Sequence, residues 1–325
     1  MPRTIDWVDD RIEVVDQTVL PSVRVLALGT LDELVSAIRL LVVRGAPALG
    51  VAGALGVALA ARGPGASEPE LLAGAERLAQ ARPTAANLAW GVRQALAAWP
   101  HGPDAVLAAA LRIRDEDIRS CRSIGAHGAD LLRSLLPGRA ALRLHTHCNA
   151  GALACVEWGT ALGVVRSLHA AGGVDYVVVG ETRPLLQGAR ITALELAEAG
   201  IRHRVVVDGA GPSIVAHGLV DAVLVGADRI AANGDVANKI GTYPLALAAA
   251  RAGVPFLVAA PRSTVDLATP DGAAIVIEDR DADEVLVHQG RRVTPLGSTA
   301  WNPAFDVTPA DLVTAVVTED GIWRP

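Results

Sequence analysis

Apolar positions recur along this chain with two different periods, and the change falls near residue 138. Short strand-like runs come first, at residues 4–7, 11–15 and 22–27, with Asp9-Asp10 as the turn between the first two. From residue 30 to 136 the apolar spacing is three and four, the signature of helices that bury one face. The helical stretches are 31–43, 48–62, 68–81, 85–99 and 104–133, several of them parted by Pro and Gly clusters such as Gly63-Pro64-Gly65. Thr30 with Glu33 three residues on makes a capping box for the first. Beyond 141 the texture is short apolar runs at 142–146, 175–179, 203–207, 222–225, 256–259 and 274–277. Helical stretches at 150–170, 189–199 and 244–252 lie between them. Strand and helix alternating at that spacing predict a parallel, doubly wound α/β sheet over residues 139–325. A smaller strand-plus-helical domain, residues 1–138, precedes it.

Composition narrows the function classes. Hydrophobic residues make up 51% of the 325, so a large core is available, and aromatics only 3%, so Ala, Val and Leu build it. A net charge of −6 argues against nucleic acid as a partner, because neutralising a phosphate backbone needs clustered Lys and Arg. The longest apolar run, 45–61, is Gly- and Ala-rich, falls short of a membrane span and is bracketed by Arg44 and Arg62, so a buried helix is expected. The first ten residues lack the apolar core of a signal peptide. Three cysteines with no paired spacing point to free thiols in a reducing, cytoplasmic setting.

The polar residues at the predicted strand exits carry the candidate chemistry. In doubly wound sheets ligands sit at the carboxyl ends of the strands. Here those ends carry His145-Thr146-His147-Cys148-Asn149, Glu181-Thr182-Arg183, Asp208-Gly209 and Gly226-Ala227-Asp228-Arg229. Cys148 precedes an expected helix start, where a thiol would have a lowered pKa and could act as base or acid. The alternative, a structural buried thiol, is the reading for Cys121 and Cys155. Asp228 follows a strand expected to be buried on both faces. Desolvation there would hold a proton near neutrality and make it a general acid, the alternative being a surface ion pair with Arg229. His145, His147 and Cys148 do not read as a metal site, since the thiol falls on the other strand face.

Arg44 interrupts an apolar run, which is costly without a partner. A phosphate held by Arg44 and the N–H groups of Gly45 and Ala46 would be one such partner; a nearby acid would be another. Arg82-Pro83-Thr84 repeats the pattern, with Thr84 as a possible cap. Asn238-Lys239 before a helix opening at Gly241-Thr242 suits a phosphate, or a plain cap beside a solvated lysine. The spacing of a Walker loop is absent.

Several runs together resemble one family. They are Arg44-Gly45-Ala46-Pro47, Arg82-Pro83-Thr84, Thr146-His147-Cys148-Asn149-Ala150-Gly151, Glu181-Thr182-Arg183-Pro184, Gly226-Ala227-Asp228-Arg229, Asn238-Lys239-Ile240-Gly241-Thr242 and Asn302-Pro303-Ala304-Phe305-Asp306. In order, over nearly the whole chain, they are similar to the methylthioribose-1-phosphate isomerases, in the superfamily of initiation factor 2B regulatory subunits. The resemblance implies a Rossmann-like C-terminal domain, a homodimer, and no metal or organic cofactor. It implies an aldose–ketose isomerisation of 5-methylthioribose 1-phosphate in methionine salvage, with Cys148 and Asp228 as the catalytic pair. Arg44, Gly45, Ala46, Arg82, Gln187, Asn238 and Lys239 would bind the sugar phosphate. Gly180, the stretch 208–213 and His145 depart from the family pattern, all at pocket lining.

Three other readings remain. The substrate could be 5-deoxyribose 1-phosphate or ribose 1,5-bisphosphate. The chain could be a non-catalytic regulatory subunit that binds a phosphate ligand, though the thiol and the acid are both present. A nicotinamide-binding oxidoreductase ranks last, since no GxGxxG follows the first strand of the C-terminal half.

Overall fold

The computed structural model describes residues 2–63, 66–82 and 85–325. Strands β1 (Ile5–Val8), β2 (Arg11–Val15) and β3 (Val25–Leu28) form an antiparallel sheet. Asp9 and Asp10 both take left-handed backbone angles, the conformation of a tight two-residue hairpin, as the sequence predicts for this turn. Helix α1 (Leu31–Arg39) opens with the Thr30–Glu33 capping box. Helix α2 (Ala46–Ala61) is buried along nearly its whole length, between α3 (Glu68–Ala79), α4 (Ala86–Leu96) and α5 (Pro103–Leu135). Its small residues let neighbours come close: a Cβ on Gly91 of α4 would sit 1.9 Å from the Gly50 carbonyl oxygen of α2. None of the described helices is long and apolar enough to cross a membrane. Thr84, the possible cap, lies outside the described residues.

The second half is a seven-stranded sheet. In chain order its strands are β4 (Leu142–Thr146), β5 (Val174–Gly180), β6 (His203–Val206), β7 (Ala222–Val225), β10 (Phe256–Ala259), β15 (Ala315–Thr318) and β16 (Gly321–Trp323). The spatial order is β16-β15-β10-β7-β4-β5-β6, and every pairing is parallel except β15 with β16. Alternate residues serve two cores, as the two-residue period of a strand demands. Leu144, Val177, Leu224, Leu257 and Val317 face α5 and α6 (Ala161–Ala170), while Val178, Val223, Val225, Val258 and Val316 face the side of α9 (Thr242–Ala252). From β4 the chain runs outward one way through β5 and β6. From β7 it runs the other way through β10 and β15. The order therefore reverses between β4 and β7.

Several sequence expectations are corrected. Residues 274–277 form no strand. They follow a turn of 3-10 helix, Gly272–Ala274, and Val276 is 78% exposed, so this apolar run has no sheet to join. The helix expected over 150–170 starts only at Ala161. Residues 149–160 are held in turns because the buried carboxylate of Glu195 accepts from Asn149 Nδ2 (2.9 Å), Ala152 N (2.7 Å) and Leu153 N (3.1 Å). The polar loop expected after Asp228 is a hairpin, β8 (Arg229–Ala231) with β9 (Val236–Lys239), in a small sheet with β11 (Val265–Asp266) and β14 (Phe305–Thr308).

Candidate active site

The reversal between β4 and β7 leaves a crevice at the strands' carboxyl ends, where α/β sheets hold their ligands. All nine site residues singled out by the sequence line one cavity there: Arg44, Gly45, Ala46, Arg82, Cys148, Gln187, Asp228, Asn238 and Lys239. Glu181 and Asp208, from the other two polar exits, do not line it.

Cys148 leaves β4 in a left-handed conformation, φ 59°, which a residue with a side chain adopts only when its surroundings insist. Two buried threonines hold it. The Thr182 hydroxyl accepts from Cys148 N (2.9 Å) and donates to Gly180 O (3.0 Å); the Thr192 hydroxyl donates to Cys148 O (2.5 Å). Thr182 is fixed in turn by Asp208, whose two oxygens accept from Thr182 N and Arg183 N, each at 2.7 Å. The Asp208 exit thus acts one layer behind the cavity. Burial pushes the thiol pKa up, Arg44 and Lys239 pull it down, and the result is a raised value. This corrects the expectation of a lowered pKa, because no helix begins at Cys148.

Asp228 follows β7, every residue of which is buried, and its backbone N–H bonds Ala237 O (2.9 Å). Burial raises its pKa, against the opposing pull of Arg82, Lys239 and Arg44. Arg229 is not its ion-pair partner; it reaches Asp266 at 3.2 Å. Relative to free groups, the site shifts both the acid and the thiol toward their protonated forms.

Arg44 is 8% exposed. Its Nε donates to Gln17 Oε1 (2.9 Å), and its guanidinium also reaches Asn149 Oδ1 and the Asn149 carbonyl. Among the described residues no carboxylate lies within ion-pair distance, so neutral amides aim the fork and leave its charge unspent. Gly45, φ 92°, caps α2, and a Cβ there would lie 2.5 Å from Ala154 Cα, so glycine is required on both counts. The first N–H groups of α2 open toward the cavity and make no hydrogen bond to the described residues at Gly45 or Ala46. The N-terminus of α9 differs: Asp306 accepts from Gly241 N (2.8 Å) and Tyr243 N (3.2 Å). The phosphate expected there is displaced by this carboxylate. Lys239 and Asn238 face the cavity from β9 instead, with Lys239 7% exposed and 5.5 Å from the Phe305 ring centroid. Gln187 is buried, with its Oε1 lacking a partner.

His145 lies two residues before His147 in β4 and does not line the cavity; burial and His147 push its pKa down to about 3. His147 lines the cavity and its Nε2 meets Ile240 O at 2.7 Å. With Cys148 they do not converge; among the described residues the group with metal-ligand spacing is Asp117, Cys121 and Cys155. Sequence reasoning missed Gln17, Thr192 and Glu195, which support the site from behind, and Arg280 in its wall; the Thr182 and Asp208 exits, marked in the sequence, act from behind as well. The charged run Glu278-Asp279-Arg280 after an apolar stretch was the available signal for the last.

The chain is similar to known proteins over nearly its whole length. The family described as "Initiation factor 2 subunit family" matches residues 42–325. A methylthioribose-1-phosphate isomerase of Anaeromyxobacter sp. (strain K) is 55% identical over 324 residues, covering 99% of this chain and 94% of that protein. A probable bifunctional methylthioribose-1-phosphate isomerase/methylthioribulose-1-phosphate dehydratase of Nocardia farcinica is 52% identical over 98% of this chain, which spans 58% of that longer protein. A 5-deoxyribose 1-phosphate isomerase of Moorella thermoacetica is 50% identical, covering 99% of this chain and 94% of that protein. Among solved structures, 5-methylthioribose 1-phosphate isomerase from Pyrococcus horikoshii superposes with a TM-score of 0.89 at 37% identity, covering 100% of this chain and 93% of that one. A structure titled as the delta subunit of translation initiation factor eIF-2B from A. fulgidus gives 0.86 at 42% identity, covering 100% and 96%.

Proposed function

The chain belongs to the initiation factor 2 subunit family, and within it we propose that the protein is an aldose–ketose isomerase converting 5-methylthioribose 1-phosphate to 5-methylthioribulose 1-phosphate. One observation carries the reading. A half-buried acid and a thiol share one cavity with Arg44, Arg82 and Lys239, at the carboxyl ends of the parallel strands. A non-catalytic phosphate-binding subunit has no use for the acid and the thiol together.

The chemistry follows from the substrate. A sugar 1-phosphate has its anomeric carbon locked as an ester, so its ring does not open spontaneously. In our reading Asp228 gives its proton to the ring oxygen as the bond from C1 to that oxygen breaks. Hydrogen then moves from C2 to C1 as hydride, the C2 hydroxyl gives its proton to the Asp228 carboxylate and so restores the acid, and the ketose 1-phosphate results, with the Cys148 thiol lining the path of the hydride. Arg44, the N–H groups of Gly45 and Ala46, and Lys239 hold the phosphate; Arg82, Gln187 and Asn238 complete the grip. A bound phosphate also offsets the cations that oppose Asp228's proton. The thiol, held protonated by burial, weighs against Cys148 as the strong base of an enolate route and favours hydride transfer past it. The proposal extends to a homodimer in the cytoplasm, working in methionine salvage without metal or organic cofactor.

The test is turnover of methylthioribose 1-phosphate against its 5-deoxyribose and ribose 1,5-bisphosphate analogues, with Cys148→Ala and Asp228→Asn alongside. Undiminished activity in either variant sinks its assigned role. Faster turnover of 5-deoxyribose 1-phosphate moves the substrate while leaving the reaction class. A C2-deuterated substrate should keep its label at C1; complete washout into water would establish the enolate route instead.

A further inference from the structure

Asp228 lies in an unusually cationic place for a group that must keep its proton. The ionisable groups that face it are Arg44 from the entry to α2, Arg82 from the end of α3's connection, Lys239 from β9, Cys148 from the exit of β4, and Glu278. Arg280 adds a fourth cation to the same wall. Three of these cations act directly to strip the proton from Asp228. We propose that Glu278 is a positioning residue for Asp228: its carboxylate bridges Arg82 and Arg280, offsets their charge and lets the acid stay protonated.

The bridge is direct. Glu278 Oε2 accepts from Arg82 Nη2 at 3.3 Å, and Oε1 from Arg280 Nη1 at 2.8 Å. Two guanidiniums thus share one carboxylate. Arg280 is itself fixed by Glu284, with Nε to Oε1 at 3.0 Å. The backbone sets the distance to the acid. Ala304 N donates to Glu278 O (2.8 Å), and Ile240 N to Ala304 O (3.0 Å), so Glu278 is two hydrogen bonds from the residue after Lys239. Glu278 is thus one backbone hydrogen bond behind Ala304, which lines the cavity, and its charge acts on Asp228 with burial rather than against it. This inference rests on Asp228 as the acid of the proposed reaction.

The experiment is a pH titration of the full-length enzyme carrying 13C-carboxyl aspartate, followed by NMR. Asp228→Asn assigns the Asp228 resonance. Asp117, on α5 and pushed up to about 7 by burial, serves as the internal reference. Glu278→Gln should lower the Asp228 midpoint by about one pH unit, the size of effect expected of a nearby uncompensated cation. Glu278→Asp should restore most of it, Arg82→Gln should raise it, and the Asp117 reference should not move. An Asp228 midpoint unchanged in Glu278→Gln overturns the inference. Where Glu278→Gln fails to fold, an Arg82→Gln midpoint that does not rise overturns it equally. Turnover measured on the same samples separates the two readings: no turnover of methylthioribose 1-phosphate by wild type, with the midpoint shifts intact, removes the proposed function and keeps the charge bridge.

Discussion

Replacing Thr182 by valine tests whether the backbone clamp, rather than the thiol alone, makes Cys148 competent. The two side chains have nearly the same shape, so the change removes a hydroxyl and little volume. Thr182 is fully buried, and its oxygen serves both Cys148 N and Gly180 O. Two hydrogen bonds at about 1 kcal/mol each are lost, and a buried N–H without a partner adds roughly 1–3 kcal/mol. Relaxation of Cys148 out of its left-handed angle returns about 1–2 kcal/mol. The net destabilisation is then on the order of 2–3 kcal/mol. At about 2–4 °C per kcal/mol for a chain of this size class, Tm should fall by ~5–10 °C. The thiol should move with the backbone, and a displacement near 1 Å costs about 100-fold in rate. Differential scanning calorimetry and steady-state kinetics with methylthioribose 1-phosphate measure both, with KM changing little because the phosphate grip is elsewhere. Thr182→Ser, which keeps the hydroxyl, should restore kcat. A valine variant with wild-type Tm and kcat would refute the clamp.

Three further outcomes follow from the same structure. Arg44→Lys keeps a charge but loses the fork fixed by Gln17 and Asn149, so KM should rise by about 10-fold or more while the fold survives, read by kinetics beside circular dichroism. Gly91→Ala puts a Cβ 1.9 Å from the Gly50 oxygen, forcing α2 and α4 apart; chemical denaturation should show a loss of about 1–3 kcal/mol, the usual cost of overpacking. Asp117 has a folded pKa of about 7 against 3.8, so its contribution is full below about pH 4 and is lost as pH rises toward 7, at about 1.4 kcal/mol per unit. Urea midpoints should accordingly fall over that window in wild type and fall less in Asp117→Asn; parallel curves would contradict the assignment.

The parts legible in the sequence were those where local pattern and final environment agree. The runs 142–146, 222–225 and 256–259 became β4, β7 and β10 with unchanged bounds; β7 and β10, buried on both faces, show as uninterrupted apolar residues, while β4 carries Arg143, His145 and Thr146 between and after its leucines. The Thr30–Glu33 box is local and survived intact. All nine site residues meet in one cavity: Cys148 and Asp228 follow sheet strands β4 and β7, and Arg44, Gly45, Ala46 and Arg82 reach it from the helices of the first half. The failures came from distant partners. Residues 150–160 look helical until Glu195, over thirty residues on, claims their N–H groups. The N-terminus of α9 looks open until Asp306 arrives from β14. Cys148 looked activated by a helix, and its actual setting is a strained turn between two threonines.

Helix α5 runs 33 residues, and its two ends answer to different cores. Val106 and Ala110 pack with α2 and α4, while Ile124, Ala129, Leu131 and Leu132 pack beneath the parallel sheet. At 1.5 Å per residue it is a rod of about 50 Å. A spine of that kind ties the fates of the two halves together. A fragment ending near residue 138 would expose the lower stripe of the rod to water, and one beginning there would lose a wall of its core. Melting should therefore register as one transition, with the two cores losing their shared wall together.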